Sequence, residues 1–334
     1  MRSMRVYVTG SSGFVGSHVA RQLREHGHDV RDVWVDLLDA ARLRRIVDGC
    51  DAVVHVAALY SFTASARELE AVNVRGTRNV IEACRAAGVP RLLATSSCAT
   101  CGPVPGRQAT EDDLPPAWEL AVPYKRTKLE AERLVLAAGG VCVNPTTPVG
   151  DGDRAPTPTG SMIRGIATGR FRAYPRIGLN VVDVRDVARG HVLALEHGHP
   201  GERYLLGGVD LTLRELFAAV AVLAGRPRPR LPVPHVAIRA SAALGLVNRN
   251  EAILARTPAY FSWTKAEREL GYGPGPVEPA LARAVRELVL PELLGERPEP
   301  DDRKEDETDD QHAGDDVTAF LGGVGEQREH RARV

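Results

Sequence analysis

The apolar residues in the first half of the chain form short continuous runs separated by stripes at helical spacing. Residues 6–9 and 51–58 are near-continuous apolar runs, typical of strands buried on both faces of a parallel sheet. Residues 14–26 carry apolar side chains at intervals of four, which predicts an amphipathic helix. Further helices are predicted at 68–87 and 124–138, and further strands at 91–97 and 141–144. This alternation predicts an α/β fold with a Rossmann-like, doubly wound parallel sheet.

The pattern changes after Asn144. Prolines and glycines dominate residues 145–160, which predicts a loop-rich segment that leaves the sheet. We expect a sheet domain over residues 1–145, with late elements returning around 181–210, and a small lobe over 146–296. Residues 297–334 are rich in acid and poor in apolar side chains, which predicts a disordered acidic tail.

Composition narrows the function classes. Lysine plus arginine balance aspartate plus glutamate at 43 each, so nothing favours a nucleic-acid partner. No secretory signal pattern opens the chain, and no apolar run reaches the roughly 18 residues of a membrane span. The nearest run, 233–247, is interrupted by Pro234 and Arg239 among others. We expect a cytoplasmic protein without an integral membrane segment.

The five cysteines do not indicate a disulfide framework, because their number is odd and they are scattered along the chain. Cys98 and Cys101 have the spacing of a redox pair or half a zinc site. No second such pair or suitably spaced histidine pair accompanies them. We therefore expect no metal site and interpret the cysteines as small buried apolar residues.

A glycine triplet follows the first strand and opens the first helix. Gly10, Gly13 and Gly16 are three residues apart within a loop that runs from Thr9 to Gly16. In this context the glycines allow a sharp turn, close approach of backbone to a pyrophosphate, and tight packing of helix on sheet. The helix N-terminus adds free N–H groups and a positive dipole end. The sequence therefore predicts an NAD(P)-binding loop within residues 1–145.

Tyr124 and Lys128 lie four residues apart on a predicted helix and share one face. Hydride transfer to or from an alcohol carbon requires a group that exchanges the hydroxyl proton. A lysine ammonium one turn away favours the phenolate and lowers the pKa of such a tyrosine. Ser97 ends the preceding strand, where the carboxyl ends of parallel strands form a crevice, and its hydroxyl can orient a substrate oxygen.

Together these motifs resemble the extended short-chain dehydrogenase/reductases, the NAD-dependent epimerase/dehydratase family, over roughly residues 4 to 290. Within that family the chain looks most like hopanoid-associated sugar epimerases and dihydroflavonol-reductase-like proteins. The stretches that carry the resemblance are the glycine loop and residues 55–58, 73–77, 95–97, 124–128 and 144–145.

The resemblance implies roles for the matched residues. Tyr124 would be the acid/base, Lys128 would hold the nicotinamide ribose, and Ser97 would orient the substrate oxygen. Asn73 would pack beside the active-site strands, whereas His55 is interpreted as a core histidine with satisfied hydrogen bonds. The residues implied for the cofactor are Gly10, Ser12, Gly13, Phe14, Val15, Gly16, Asp36, Leu37, Ala57, Ala58, Tyr124 and Lys128.

One segment departs from the family pattern. Only residues 28–35 separate the first helix from the Asp36-Leu37 segment, which leaves room for one strand. The sheet is therefore expected to be shortened by one βα unit, which normally carries the residue that recognises the adenosine ribose. Asp36 lies near the position of the acid that recognises the ribose. It also aligns with a family residue that contacts adenine, and the match of the following residues favours this second assignment. The preference between NAD and NADP stays open.

Two functions are compatible with these features. The first is NAD(P)-dependent hydride transfer at a carbinol or ketone carbon of a sugar-like or small ring substrate, by an epimerase/dehydratase or a ketone reductase. The second is a protein that kept the fold but has impaired cofactor binding, acting without redox turnover or as a binding partner. The resemblance is also compatible with a homodimer.

Overall fold

The computed structural model describes residues 3–293, so the tail predicted at 297–334 lies outside the described residues. The elements of the first half are β1 (Arg5–Thr9), α1 (Phe14–Glu25), β2 (Asp29–Arg31), α2 (Ala40–Val47), β3 (Ala52–His55), α3 (Ala66–Leu69), α4 (Gly76–Ala86), β4 (Arg91–Thr95), α5 (Pro123–Ala137) and β5 (Val141–Pro145). Those of the second half are β6 (Thr147–Val149), α6 (Pro158–Ala167), β7 (Ala173–Pro175), β8 (Gly178–Asp183), α7 (Val184–His197), β9 (Arg203–Leu206), β10 (Val209–Thr212), α8 (Leu213–Leu223), β11 (Leu231–Val233), α9 (His235–Ala243), α10 (Arg249–Leu254), α11 (Thr264–Leu270) and α12 (Glu278–Leu293).

The central sheet has six parallel strands in the order β2-β1-β3-β4-β5-β9. Its two faces bury separate apolar cores. One core packs Val19 and Leu23 of α1 and Val192 of α7 against the strands, and the other packs Leu43 of α2 and Val80 of α4. Helices on both faces of a parallel sheet confirm the predicted doubly wound fold.

The sheet is short on the β2 side. A doubly wound sheet of order 3-2-1-4-5-6 carries one more strand beyond the second, but β2 is the edge strand among the described residues. After Arg31 the chain runs through residues 32–39 directly into α2. Val35 and Leu37 of this segment are buried against the sheet, so the connection fills part of the space left by the absent unit.

The lobe is built around a second core between α6, α8 and α12. A three-stranded sheet of order β10-β8-β6 adjoins it. The prediction of an irregular segment at 145–160 was wrong in part, because β6 and the start of α6 lie within it. Pro148 sits in β6, an edge strand, where a residue without an N–H is tolerated. Of the late elements, β9 pairs with β5 in the main sheet.

The helix predicted at 68–87 is continuous but not uniformly α-helical. A π-helical segment, Glu70–Arg75, joins α3 to α4. Such segments are rare and occur frequently at functional sites. Here the segment contains Asn73, whose side chain reaches toward the carboxyl end of β3. Hydrophobic spacing alone does not distinguish a π-turn from an α-turn, so the sequence did not predict it.

Candidate active site

The glycine loop forms a tight cradle between β1 and α1. Gly10 has φ +66°, and a Cβ there would lie 2.8 Å from the Ala57 backbone. A Cβ on Gly16 would overlap the carbonyl oxygen of Gly10. Gly13 begins α1 without a side-chain cap, so the first N–H groups of the helix remain available to an anion. This geometry fits a dinucleotide pyrophosphate.

The remaining loop residues that the sequence assigned to the cofactor are at the same cradle. Ser12 is exposed, whereas Phe14 and Val15 are half-buried at the start of α1. Val15 packs against the core, and the Phe14 ring meets the His18 ring edge-on. Ser12, Phe14 and Val15 would therefore contact the phosphates mainly through their backbone N–H groups.

A directed hydrogen-bond chain fixes the end of β3. The Ala57 N–H donates to Thr9 Oγ1 (3.1 Å), and Thr9 Oγ1 lies 2.8 Å from His55 Nδ1. His55 Nε2 lies 3.0 Å from Thr77 Oγ1, which itself donates to the Asn73 carbonyl. The Thr77 hydroxyl proton is thus used, so His55 Nε2 must be the donor and Nδ1 the acceptor. Burial lowers the pKa of His55 to about 3, consistent with a neutral core histidine.

Asn73 connects this chain to the helix that carries Tyr124. Its side-chain oxygen accepts the Leu59 N–H at 2.7 Å, and its side-chain nitrogen donates to the Leu59 carbonyl at 3.1 Å. The same nitrogen donates to Thr127 Oγ1, which donates to the Tyr124 carbonyl at 3.0 Å. Asn73 therefore acts as a positioning residue between the segment after β3 and α5.

The structure brings the predicted Ser97 and Tyr124 together. Ser97 follows β4 and begins a short 3₁₀ turn, where its hydroxyl accepts the Ala99 N–H at 3.1 Å and lies close to the side chain of Tyr124. Tyr124 is 9% exposed. Burial raises the pKa of Tyr124 well above its ordinary value, with a smaller contribution from the neighbouring Tyr60, and the hydroxyl is protonated at neutral pH. Proton donation to a substrate oxygen requires this protonated form, and the raised pKa makes the free hydroxyl a weak acid.

Lys128 lies one turn along α5, but the predicted lowering of the Tyr124 pKa is not observed. The Lys128 ammonium donates to the Thr95 carbonyl at 2.8 Å, at the end of β4. Burial lowers the pKa of Lys128 to about 8, although Cys142 and Glu132 act in the opposite direction. The expected lowering of the Tyr124 pKa is not found, because burial has the largest effect on this hydroxyl and Lys128 is not among the groups that shift it.

The Lys128 shift predicts an unusual pH dependence of stability. Its pKa is lower in the folded protein, about 8, than the ordinary 10.5, so the charged form destabilises the fold below pH 8. That cost is relieved as the pH rises from 8 to 10.5. Lys128→Met is therefore expected to raise the free energy of unfolding by about 1–2 kcal/mol at pH 7. This figure already allows for the loss of the hydrogen bond to the Thr95 carbonyl. At pH 10 the gain is expected to be smaller.

Urea unfolding of both proteins at the two pH values measures this difference. Lys125→Met on the same helix is the control. Lys125 forms a buried 2.7 Å ion pair with Glu119, so its removal is expected to destabilise the fold. A Lys128→Met variant that is equally destabilised at both pH values would contradict the assigned shift.

A small cavity lies between β3, β4 and α5. Its lining includes Ala57, Ala58, Ser96 and Lys128. The Ser96 hydroxyl is buried and has no hydrogen-bond partner among the described residues. The sequence analysis chose Ser97 and did not assign a role to Ser96. The cavity has a volume of about 10 Å³, which is close to the size of one water molecule, so the unpartnered hydroxyl fits a bound water there.

A buried charge cluster holds the turn after β4. Glu132 of α5 accepts hydrogen bonds from Thr100 Oγ1 (2.8 Å), the Asn144 amide (2.5 Å) and Arg203 (2.6 Å). Thr100 closes the 3₁₀ turn that Ser97 begins. Because its partners come from the 3₁₀ turn, β5 and β9, Glu132 ties three segments to the helix of Tyr124. The sequence did not indicate Glu132, because its partners are far apart along the chain.

Aromatic and aliphatic side chains surround Tyr124. The Tyr60 ring centroid lies 4.9 Å and the Phe62 centroid 5.9 Å from that of Tyr124. Ile253 and Leu254 of α10 pack against the same cluster. The Phe62 carbonyl accepts hydrogen bonds from the side chains flanking the start of α10, including Asn250 at 2.8 Å. The wall at Tyr124 is therefore apolar, and it joins the sheet domain to the lobe.

At the far end of the cradle, Asp32 directly follows β2. Its carbonyl accepts the Ser11 hydroxyl at 3.1 Å, and its carboxylate pairs with Arg24 at 2.6 Å. Sequence analysis missed Asp32 because β2 is three residues long and has no apolar run that marks its end. Asp32, and not Asp36, occupies the position after the second strand.

Asp36 and Leu37 lie further along, beside α4. The Asp36 side chain is exposed and accepts the Leu38 N–H at 2.9 Å. Leu37 is buried, its side chain packs over Gly76, and its carbonyl accepts the Asn79 amide at 2.8 Å. Of the two residues only Asp36 exposes its side chain, so they are placed differently toward a ligand.

The paired cysteines do not have the character of a redox site. Burial raises the pKa of Cys98 to about 11 and raises that of Cys101 further. Both changes disfavour the thiolate that redox exchange and metal binding require. Among residues 3–288, no group of three or more histidine, cysteine or acidic side chains could hold a metal ion.

Comparison with known proteins identifies the family. The sequence model described as the NAD dependent epimerase/dehydratase family matches residues 6–207. The chain belongs to this family. It is an NAD(P)-dependent enzyme of the extended short-chain dehydrogenase/reductase type, as the glycine loop and the Tyr124 helix predicted.

Three similar proteins illustrate the range of the family. The chain is 36% identical to a putative dihydroflavonol 4-reductase of Synechocystis sp., over 84% of this chain and 93% of that protein. It is 32% identical to the sterol demethylase protein B of Methylococcus capsulatus, over 84% of this chain and 97% of that protein. The crystal structure of gox2253 superposes with a TM-score of 0.76 at 36% identity, covering 88% of this chain and 99% of that one.

The likeness to dihydroflavonol reductases is thus confirmed, whereas the hopanoid-associated epimerase, the homodimer and the cytoplasmic location stay predictions. Within residues 3–293 no helix is long and apolar enough to cross a membrane.

Proposed function

We propose that this enzyme reduces a ketone, or oxidises the corresponding alcohol, on an apolar ring or chain. The observation that carries this proposal is the wall of Tyr60, Phe62, Ile253 and Leu254 around Tyr124. Aromatic and aliphatic side chains favour burial of a carbon skeleton over the hydroxyl-rich face of a sugar. The name of the Methylococcus relative refers to a sterol, which is a substrate of this chemical class.

The chain's own residues support the proton transfer. When bound, NADH or NADPH supplies a hydride to the carbonyl carbon and becomes oxidised. Tyr124 donates its hydroxyl proton to the carbonyl oxygen, which becomes the alcohol oxygen. Ser97 holds that oxygen through a hydrogen bond, and Lys128 holds the nicotinamide ribose. Oxidation of the alcohol reverses these steps.

A substrate panel tests the proposed function. The purified protein is incubated with NADH or NADPH and either apolar ketones, such as a 3-oxosteroid and an aryl alkyl ketone, or nucleoside-diphosphate sugars. We expect oxidation of the nicotinamide in equal amount to the alcohol formed from an apolar ketone. Inversion of a nucleotide sugar without net nicotinamide turnover would instead establish the epimerase. No cofactor binding at millimolar concentration would favour the non-redox alternative.

We also propose that Asp32 recognises the adenosine ribose and that the enzyme prefers NAD. An acid at this position accepts a hydrogen bond from the ribose 2′-hydroxyl and repels a 2′-phosphate. Arg24 partly neutralises Asp32 through their 2.6 Å ion pair, which limits the preference. We expect NADH to bind roughly tenfold more tightly than NADPH, and Asp32→Ala to remove most of this difference.

Calorimetric titration of both cofactors measures these affinities. Asp36→Ala is the matched control, because an adenine contact is common to both cofactors and its loss should weaken both alike. Tighter binding of NADPH than NADH by the unmodified enzyme would contradict the role of Asp32.

A further inference from the structure

An exposed basic and apolar surface lies beside the apolar wall of the active site. Residues 224–250 contain five arginines and no acidic residue, in a chain whose total charges balance. The same segment carries several large apolar side chains that are mostly exposed. Their exposed fractions are Leu231 67%, Val236 77% and Leu244 75%. We call residues 224–250 the basic-apolar surface.

Helix α9 exposes apolar side chains along one whole face. Its inner face buries Ile238, which is 6% exposed, against α10. On the other side, Val236, Ala240 and Ala243 recur at helical spacing and are all exposed. A solvent-facing helix surface normally carries polar residues, so the outer face of α9 has the composition of a contact surface.

The arginines of this surface are available to an anionic partner. Arg226, Arg228 and Arg230 are exposed and precede the exposed Leu231, and Arg239 lies on α9 itself. None of them forms an ion pair with another described residue. Unpaired arginines in the same segment as protruding apolar side chains complement a layer of anionic headgroups over an apolar interior.

We propose that the basic-apolar surface docks the enzyme on anionic lipid bilayers. Apolar side chains exposed by two thirds or more protrude, and a bilayer accepts such side chains without a matching pocket. The surface also lies next to the apolar wall where an apolar substrate would bind, since α9 packs on α10, and Ile253 and Leu254 of α10 form part of the wall at Tyr124. This second argument rests on the proposed function, whereas the charge and exposure of the surface do not.

Vesicle sedimentation of the full-length protein, without cofactor or substrate, tests the docking. The vesicles contain phosphatidylcholine alone or with about a third phosphatidylserine. We expect binding only to the anionic vesicles, and release as the salt concentration rises from ~0.1 to ~1 M, where the Debye length falls from about 10 to about 3 Å. Because no turnover is measured, this result is independent of the proposed reaction.

Two sets of variants locate the contact. Replacing Arg226, Arg228 and Arg230 by serine is expected to weaken partitioning about a hundredfold, since each arginine near an anionic surface contributes about fivefold. The control replaces Arg44, Arg45 and Arg85, three exposed arginines of the sheet domain, and should retain most binding. The double variant Val236→Ser, Leu244→Ser is expected to weaken partitioning onto the vesicles at least about tenfold. Val33→Ser is its control, because Val33 is 47% exposed but lies outside this surface, and partitioning should not change.

Three outcomes would overturn the proposal. The first is the absence of binding to anionic vesicles at low salt. The second is an equal loss in the control arginine variant, which would indicate non-specific charge attraction. The third is a dimer in solution that dissociates with the Val236→Ser, Leu244→Ser variant while vesicle binding is absent, which would assign the surface to a second copy of the chain.

Discussion

Tyr124→Phe is expected to lower kcat for ketone reduction by about 10²- to 10⁴-fold, the range attributed to general acid catalysis. The substitution removes only the hydroxyl that lies close to Ser97, and the phenylalanine ring fills the same buried space between Tyr60 and Phe62. The fold and the glycine loop are untouched, so NADH should still bind, with an affinity lowered by no more than about tenfold through the loss of one hydrogen bond from the Tyr124 hydroxyl.

Single-turnover kinetics at saturating cofactor, with the apolar ketone that the substrate panel identifies, measure the loss. Tyr60→Phe is the matched control, because it removes a neighbouring phenol whose ring lies 4.9 Å away and leaves the Ser97–Tyr124 contact in place. Normal turnover by Tyr124→Phe, together with unchanged NADH binding, would show that another group donates the proton.

The raised pKa of Tyr124 adds a pH signature. Proton donation needs the protonated hydroxyl, which burial maintains through neutral pH, so reduction should not decline between pH 6 and 8 through titration of this group. Oxidation of the alcohol needs the proton acceptor and should become faster as the pH rises. The two directions are therefore expected to have different pH profiles.

The order of the fold could be predicted because each parallel strand is a local apolar run and each helix a local stripe. The edge of the sheet was harder to predict. Only the short distance between α1 and Asp36 indicated that a βα unit is absent, and the end of β2 could not be placed, because Asp29–Arg31 contains one apolar residue. For that reason the sequence directed attention to Asp36, while the structure places Asp32 after the strand.

The candidate site shows a similar division. The spacing of Tyr124 and Lys128 and the position of Ser97 at a strand end are local properties that the sequence displays, and the structure places Ser97 close to Tyr124. The predicted lowering of the Tyr124 pKa by Lys128 is not found, because that pKa depends mainly on burial, which residue spacing does not reveal. Glu132 and Phe62 act through contacts with segments far along the chain, such as β9 and α10, and no local pattern reveals such contacts.

Gly16→Ala is expected to weaken NADH binding by at least about a hundredfold. The added Cβ would overlap the Gly10 carbonyl and press on Ser11, and both are backbone atoms of the cradle that no side-chain rotation can relieve. Gly10 is itself held against the Ala57 backbone, so the loop has no free direction in which to move. Overpacking of this kind costs about 1–3 kcal/mol of folding stability as well.

Calorimetry with NADH and thermal unfolding separate the two effects of Gly16→Ala. The control is Gly273→Ala, because Gly273 does not have a positive φ and a Cβ there meets nothing within 4 Å. The control should bind NADH normally and unfold at the original temperature. Since the cradle supplies the N–H groups for the pyrophosphate, its displacement must reduce NADH and NADPH affinity together, unlike the selective effect expected at Asp32. A folded Gly16→Ala protein with unchanged affinity for both cofactors would show that the pyrophosphate does not bind at this loop.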